Sequence, residues 1–470
     1  MPPAGTVEEL DVILDILGQQ PGLQIYTQIC LCFSVVDESS YSSIINVLTD
    51  GLERLSASFP WVAGQIVNEG AGGGTTGVFK IKSLEKIPRL VVKDLRHDPS
   101  TSSMDTLRRA NFPFSMLDEN VVAPRNTLPG SSGESALVPA PVFLVQANFI
   151  KGGLLLTFVG HHMAMDMTGQ GQIIHLISKA CRNEPFTNEE LSSGNLAGHN
   201  LIPLLDEDSY DQGSAVAHQL VKPTPSHLIS SGTSDRQEPP PVPKCTWTYF
   251  TFTSTSLATL KSIATKNTTL PPGAYISTDD ALTAFVWQSS IRARLPRLSP
   301  TVESTLARAV DPRRYVDIPP TYAGIVQNMT YHTEKLQKLA EEPLGSVASK
   351  LRLAVDPKTS NLRHSTRAIA TYLSRTRDKN TFSVAAGIDV SKDIMLSSWA
   401  NIDCYQLDFN LGLGKPEAVR RPQFDPCEGL MYLMPRKPDG EIVVGICLRD
   451  EDMERLNVDE EFTRYGTNIP

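Results

Sequence analysis

This sequence of 470 residues contains no apolar run near the ~20 residues needed to span a bilayer, so a membrane protein is not expected. Its N-terminus, Met1 to Glu9, lacks both a basic stretch and an apolar stretch, so no secretory signal is read there. A cytoplasmic location is the corresponding expectation. Basic residues are in deficit: 43 Lys and Arg stand against 52 Asp and Glu, a net charge of −9, which speaks against a nucleic-acid partner. Blocks of like charge are missing apart from small clusters such as Asp450-Glu451-Asp452. Cysteine is sparse, with seven scattered residues, an odd number that fits reduced thiols and not a disulfide framework. Cys30-Leu31-Cys32 lies in a strand-like run, where burial explains it better than redox work. The sequons at Asn267 and Asn328 read as chance matches in a chain with no secretory route.

What is present describes a globular protein, at 40% hydrophobic and 20% charged residues. The length exceeds one ordinary core and suggests two domains of roughly 200 residues each. A stretch rich in Pro, Ser and Thr, residues 221–244, contains Pro239-Pro240-Pro241-Val242-Pro243 and cannot build a core. It divides the chain into 1–220 and 245–470.

Strand and helix patterns alternate in both halves. Gln24 to Phe33 alternates as a strand, and Ile44, Ile45, Leu48, Leu52 and Leu55 mark one face of a helix. The glycines between Gly70 and Gly77 lack the Gly-Lys-Ser/Thr ending of a phosphate loop and read as a hairpin or surface loop. Val142 to Phe149, the turn Lys151-Gly152-Gly153, and Leu154 to Val159 predict a second hairpin. In the second half, Thr246 to Phe252, Ile394 to Trp399, Leu430 to Leu433 and Glu441 to Leu448 read as strands. Ser277-Thr278-Asp279-Asp280 caps a helix carrying Leu282, Phe285 and Val286, and Asp450 is expected to cap a last helix.

The chemistry-bearing stretch is Gly160-His161-His162-Met163-Ala164-Met165-Asp166-Met167-Thr168-Gly169. It joins the apolar run Leu154 to Val159 to a helical pattern at Ile173, Ile174, Ile177, Ala180 and Cys181. A neutral imidazole takes a proton near pH 7. A carboxylate four positions on can orient that ring, or fix its loop by pairing with an arginine. A packed or capping histidine is the competing local reading. Zinc ligation is a third, disfavoured because no Cys or Glu with ligand spacing lies nearby, so no metal is expected.

His162-Met163-Ala164-Met165-Asp166 resembles the His-x-x-x-Asp motif of the BAHD superfamily, the plant and fungal acyl-CoA-dependent alcohol acyltransferases. About 240 residues on, Asp408-Phe409-Asn410-Leu411-Gly412-Leu413-Gly414-Lys415-Pro416 resembles its Asp-Phe-Gly-x-Gly element, with Asn410 standing for a glycine. Asn tolerates left-handed backbone better than other side chains, so the turn is expected to survive. Segments along nearly the whole chain are similar to the trichothecene 3-O-acetyltransferase branch. They include Ile25-Tyr26-Thr27-Gln28, Leu176 to Asn183, Gln327 to His332 and Met395 to Ala400.

The resemblance implies an α/β protein of two similar chloramphenicol-acetyltransferase-like domains with mixed sheets, and an active site in a channel at their interface. It implies His162 as general base, with acetyl-CoA as co-substrate and no permanently bound cofactor. The partner expected is a small alcohol acceptor, the 3-hydroxyl of a sesquiterpenoid, acetylated in biosynthesis, self-protection or detoxification. A monomer is expected. Asp166, Gly169, Arg294, Asp408 and Gly412 are read as structural, with Arg294 as partner to Asp166. Lys261, Ser277, Thr278, Asp311, Arg313, Ser397 and Ser398 are the implied coenzyme A contacts. A peptide-synthetase condensation domain also carries His-His-x-x-x-Asp, but usually places glycine where Met167 stands and lacks the downstream element. A binding protein that kept the fold without catalysis is the remaining rival.

Overall fold

Gly153–His161 is a nine-residue strand with every position buried. Its run, apolar but for Thr157 and His161, leaves no face for water, as expected of a strand covered on both sides. It pairs antiparallel with Phe143–Ile150 on one side and with Tyr26–Ser34 on the other. The computed structural model describes residues 10–84, 89–129, 139–207, 210, 215–222, 243–266, 268, 270–271 and 273–470. Leu90–Asp94 extends this sheet in parallel beyond Phe143–Ile150. Ala418–Arg420, from the second half of the chain, closes the other edge against Tyr26–Ser34. A smaller antiparallel sheet orders Asp11–Ile13, Val78–Lys82, Gln65–Glu69 and Ala140–Pro141. Its central hairpin turns through the glycine cluster.

The second half builds a seven-stranded mixed sheet in the order Asn328–Lys335, Glu303–Val310, Ile394–Ser398, Leu430–Leu433, Ile442–Arg449, Cys245–Phe252 and Gly466–Ile469. Ile394–Ser398 runs parallel to both neighbours, and the other pairs are antiparallel. Thr278–Arg294 packs across this sheet, begun by a capping box in which Ser277 and Asp280 satisfy each other's backbone N–H. Tyr41–Ser58 and Met167–Cys181 pack together on the first half. The mixed α/β architecture agrees with the sequence-based expectation.

One apolar core joins the halves. Leu154, Leu156 and Phe158 share it with Trp399, Tyr405, Phe409, Val419 and Tyr432. A second, around Phe285, Trp287, Leu306 and Ile446, belongs to the second half alone. We propose 1–220 and 245–470 as the domain units, the latter lending Ala418–Arg420 to the former.

Asp450 does not cap its helix. It is the first helical residue of Asp450–Val458, and its carboxylate accepts from Thr246 Oγ1 at 2.6 Å, a partner that outcompetes the local backbone. Nor is that helix the last element, since Glu460–Thr463 and the edge strand Gly466–Ile469 follow. Most of the 221–244 linker, with the N-terminal nine residues and Asn267, lies outside the described residues. Among the described residues no helix is long and apolar enough to cross a membrane.

Candidate active site

The strand Gly153–His161 stops one residue short of His162, and Asp166 caps the helix Met167–Cys181 by accepting from Gly169 N at 2.7 Å. The intervening turn holds His162 at the end of a rigid strand. Its backbone N–H donates to Ile25 O at 2.8 Å. Its Nδ1 lies 3.1 Å from Met165 O. A carbonyl can only accept, so Nδ1 carries the proton and Nε2 presents a lone pair. Burial holds the imidazole below its ordinary value of 6.5. The Met165 carbonyl and Asp166 oppose that shift, while Arg421 adds to it. The ring is therefore neutral at pH 7 and fit to accept a proton.

His161 has a different occupation. It is buried, its Nδ1 accepts from Met163 N at 3.3 Å, and its ring stands edge-on to Tyr26 at 4.9 Å. Burial pushes its pKa down to about 3, so it stays neutral and structural.

Asp166 makes no hydrogen bond to His162. Its carboxylate accepts from Gly169 N, from Val326 N at 2.6 Å, and from Arg313 Nη2 at 2.9 and 3.0 Å. It thereby ties the His162 turn to the second half of the chain. Arg313, not Arg294, is its partner. Arg294 ends a 17-residue helix whose other end faces the site, about 25 Å away at 1.5 Å per residue. There it donates to Asp393 O at 2.9 Å and pairs with Glu428 at 3.5 Å. Arg313, expected as a coenzyme A contact, is engaged within the protein. It is 2% exposed and consumed by Asp166, Asp311 Oδ1 at 3.0 Å, Gly324 O at 2.7 Å and Tyr322 O at 3.2 Å. Gly169 is required by the same junction, since a Cβ there would lie 2.2 Å from Ala323 O.

A narrow cavity of about 60 Å³ opens between the two halves. Asp166 and Thr168 line it from one side, and Asp311, Gln327, Ser397 and Ser398 from the other. Ser398 donates to Asp279, which also binds Arg308, so Ser277 and Thr278 at the helix start are drawn to the same place. Lys261 is exposed on Ser254–Lys266 and does not line this cavity.

The downstream element is a turn. Asp408 Oδ1 accepts from Asn410 N at 2.8 Å, and Arg182, just past the histidine helix, donates to Asp408 O. Asn410 has φ 56° and Gly412 φ 73°, so asparagine does hold the left-handed conformation. Neither reaches His162 in a hydrogen bond.

Two groups escaped the sequence reading. Asp15 is buried against the turn at 322–325, accepting from the Tyr322 hydroxyl and from Ile325 N at 3.0 Å. It borders an apolar cavity of about 220 Å³ lined also by Trp61, Ile81 and Ala164. Arg421 is buried, with its Nη2 donating to Thr127 Oγ1 at 3.1 Å. No linear spacing to the histidine motif marks either residue. Among the described residues, no group of three or more His, Cys, Asp or Glu is arranged to hold a metal.

Comparison with known proteins agrees with this geometry. The trichothecene 3-O-acetyltransferase-like N-terminal domain profile matches residues 25–181, and the Transferase family profile matches 116–463. An O-acetyltransferase of Cryptosporiopsis sp. is 59% identical over 98% of both chains. The trichothecene 3-O-acetyltransferase of Fusarium sporotrichioides is 51% identical, again over 98% of both. The crystal structure of the F. graminearum enzyme with coenzyme A and T-2 mycotoxin superposes with a TM-score of 0.90 at 46% identity, covering 98% of this chain and 100% of that one. The chain therefore belongs to the Transferase family of acyl-CoA-dependent acyltransferases, in its trichothecene 3-O-acetyltransferase-like branch, and is an O-acetyltransferase using acetyl-CoA as co-substrate.

Proposed function

We propose that this enzyme transfers acetyl from acetyl-CoA to the 3-hydroxyl of a trichothecene, with His162 as general base. The observation that carries the mechanism is the Nδ1 contact to Met165 O, which leaves Nε2 as the proton acceptor. A secondary alcohol is a poor nucleophile until its proton is removed. Nε2 takes that proton as the hydroxyl oxygen attacks the thioester carbonyl. The tetrahedral intermediate then collapses with loss of the C–S bond, and the imidazolium returns its proton to the leaving thiolate. Base catalysis of this kind contributes roughly 10²–10⁴ in rate, and positioning of both substrates supplies more. Ser277, Thr278, Asp311, Ser397 and Ser398 are the coenzyme A contacts supported by their approach to one cavity. Lys261 is the outlying candidate, for a phosphate.

The acceptor reading is supported by the F. sporotrichioides and F. graminearum relatives, whose names or bound ligands specify trichothecenes. Loss of a hydroxyl donor weakens the toxin's hydrogen bonding to a target, which makes the reaction protective. A second reading is acetylation of another fungal secondary-metabolite alcohol, favoured by the more similar Cryptosporiopsis relative, named simply an O-acetyltransferase. Incubation with acetyl-CoA and a 3-hydroxy trichothecene, followed by mass analysis, is expected to give the monoacetyl product. No product at saturating substrate, alongside turnover of another alcohol, selects the second reading.

A further inference from the structure

Among the described residues Tyr275 is the only aromatic side chain left exposed, at 64%, while every other Phe, Trp and Tyr is buried or half-buried. An aromatic face kept in water forgoes the burial that usually stabilises such a ring. This one is backed by a fixed cation. The Arg352 guanidinium lies over it, 4.9 Å from the ring centroid, in the stacking contact that arginine makes with aromatic faces. Arg352 is itself only 8% exposed, and its Nε and Nη2 both donate to Asp280 Oδ2, the former at 2.7 Å. The ring is therefore covered on one face by a clamped guanidinium and open to solvent on the other.

The same carboxylate anchors the start of the helix Thr278–Arg294. Asp280 Oδ2 also accepts from Ser277 N at 2.9 Å and from Ser277 Oγ at 2.6 Å, so the arginine behind Tyr275 and the Ser277 hydroxyl share one oxygen. Tyr275 and Ser277 are two residues apart, a span of at most ~7 Å. From Asp280 a ladder of contacts runs to the interdomain cavity. Its Oδ1 accepts from Arg308 Nη1 at 3.1 Å, Arg308 Nη2 donates to Asp279, and Asp279 accepts from Ser398, which lines the cavity. The helix Ser254–Lys266, which carries Lys261, packs against both Thr278–Arg294 and Leu344–Leu353, the helix of Arg352.

We propose that Tyr275 is the platform on which the adenine of acetyl-CoA stacks, with Arg352 holding the ring from behind, a role that rests on reading Ser277 and Ser398 as coenzyme A contacts. A cavity of about 60 Å³ takes only the slim pantetheine arm. With the thioester at His162, the adenosine end is left outside, at the mouth to which the ladder leads. Adenine has a flat π-face and stacks on an aromatic side chain without any hydrogen bond. The open face of Tyr275 supplies that surface, and the stack covers both rings from water. The ring stays remote from the reacting atoms, so it acts on donor binding and not on the chemical step.

Donors of two lengths test this. Tyr275→Ala is expected to raise KM for acetyl-CoA roughly tenfold with little change in kcat. S-Acetylpantetheine lacks the adenosine end, and wild type and Tyr275→Ala are expected to use it with the same kcat/KM. Tyr275→Phe and Tyr275→Trp keep a ring face and should restore the acetyl-CoA KM, which separates stacking from any role of the hydroxyl. Adenosine 3′,5′-bisphosphate gives a readout without turnover, since calorimetry should show its binding weakened by the same factor in Tyr275→Ala. The substituted ring is exposed, so melting temperatures should match wild type. An unchanged KM for acetyl-CoA in Tyr275→Ala overturns the proposal, and so does an equal loss with both donors, which marks a distorted helix start. Ser398→Ala, measured alongside, tells two failures apart. If it raises KM for both donors while Tyr275→Ala raises neither, the platform alone falls. If neither variant changes either KM, the coenzyme A reading of this mouth falls with it.

Discussion

Arg313 reaches Asp166 across 147 residues of sequence and places its Nη2 within 3.0 Å of both carboxylate oxygens. With Val326 N on the same carboxylate, one side chain four residues from His162 clamps the two halves of the chain together. The distance from His162 to the clamp is a single helix-capping turn, so the geometry of this imidazole and the closure of the interface are set by the same residues.

Replacement of the two histidines separates chemistry from packing. His162→Ala is expected to reduce acetyl transfer by roughly 10²–10⁴ while leaving the melting temperature near wild type. His161→Ala removes a buried ring packed edge-on against Tyr26 and is expected to lower stability more than it lowers kcat. Steady-state kinetics and thermal melts on both proteins check this. An inactive His161→Ala beside an active His162→Ala reverses the assignment.

Removing either end of the clamp leaves a buried charge without its partner. Asp166→Ala and Arg313→Met are each expected to cost about 3–5 kcal/mol of stability. Activity falls with them because the turn at 322–326 is no longer held. Denaturant unfolding measures the loss. A variant at Asp166 that melts like wild type but turns nothing over assigns the carboxylate a direct catalytic part.

Much of this site is legible in the sequence because its parts are local. The apolar run before His162, the capping spacing from Asp166 to Gly169 and the helical pattern after it lie within 30 residues, where period and cap rules apply. The left-handed turn at Asn410 is legible for the same reason. The partner of Asp166 is not. Arg294 and Arg313 are both arginines near strand or helix ends, and only the course of the helix Thr278–Arg294 tells which one arrives. Arg421 precedes a proline just past a short strand and looks like a surface base. Its burial depends on Trp399, Phe424 and Tyr432, which come from three separate segments. The strand Ala418–Arg420 escapes for a similar reason, since three residues carry no period and its partner lies in the other half.

Gly169 sits where the first turn of the histidine helix touches the backbone at 323–324. A Cβ added there meets Ala323 O at 2.2 Å and Gly324 O at 2.8 Å, both main-chain atoms that cannot rotate aside. Gly169→Ala is expected to destabilise by about 1–3 kcal/mol as the segments separate. Because Val326 N is carried by the displaced segment, kcat should fall as well. A melt and a rate measured on the same preparation test the coupling; unchanged values for both mean the junction has slack.

Asp15 gives the fold a pH dependence of its own. Burial raises its pKa from 3.8 to about 6, against the lowering effects of the Tyr322 hydroxyl, Ile325 N and Arg313. The folded chain thus binds this proton more tightly than the unfolded chain does. Its contribution to stability is full below about 4 and is lost as pH rises through about 6, amounting to roughly 3 kcal/mol across the window. Asp15→Asn keeps the shape and an oxygen acceptor for Tyr322 or Ile325 but cannot ionise. Stability of the variant minus that of wild type is therefore expected to climb between pH 4 and pH 7 and to level off above. Urea unfolding at several pH values gives that difference curve directly, with the other titrating groups cancelling between the two proteins. A flat curve means that Asp15 ionises in the folded state as easily as in water, and that its carboxylate is fully supported by Tyr322, Ile325 and Arg313.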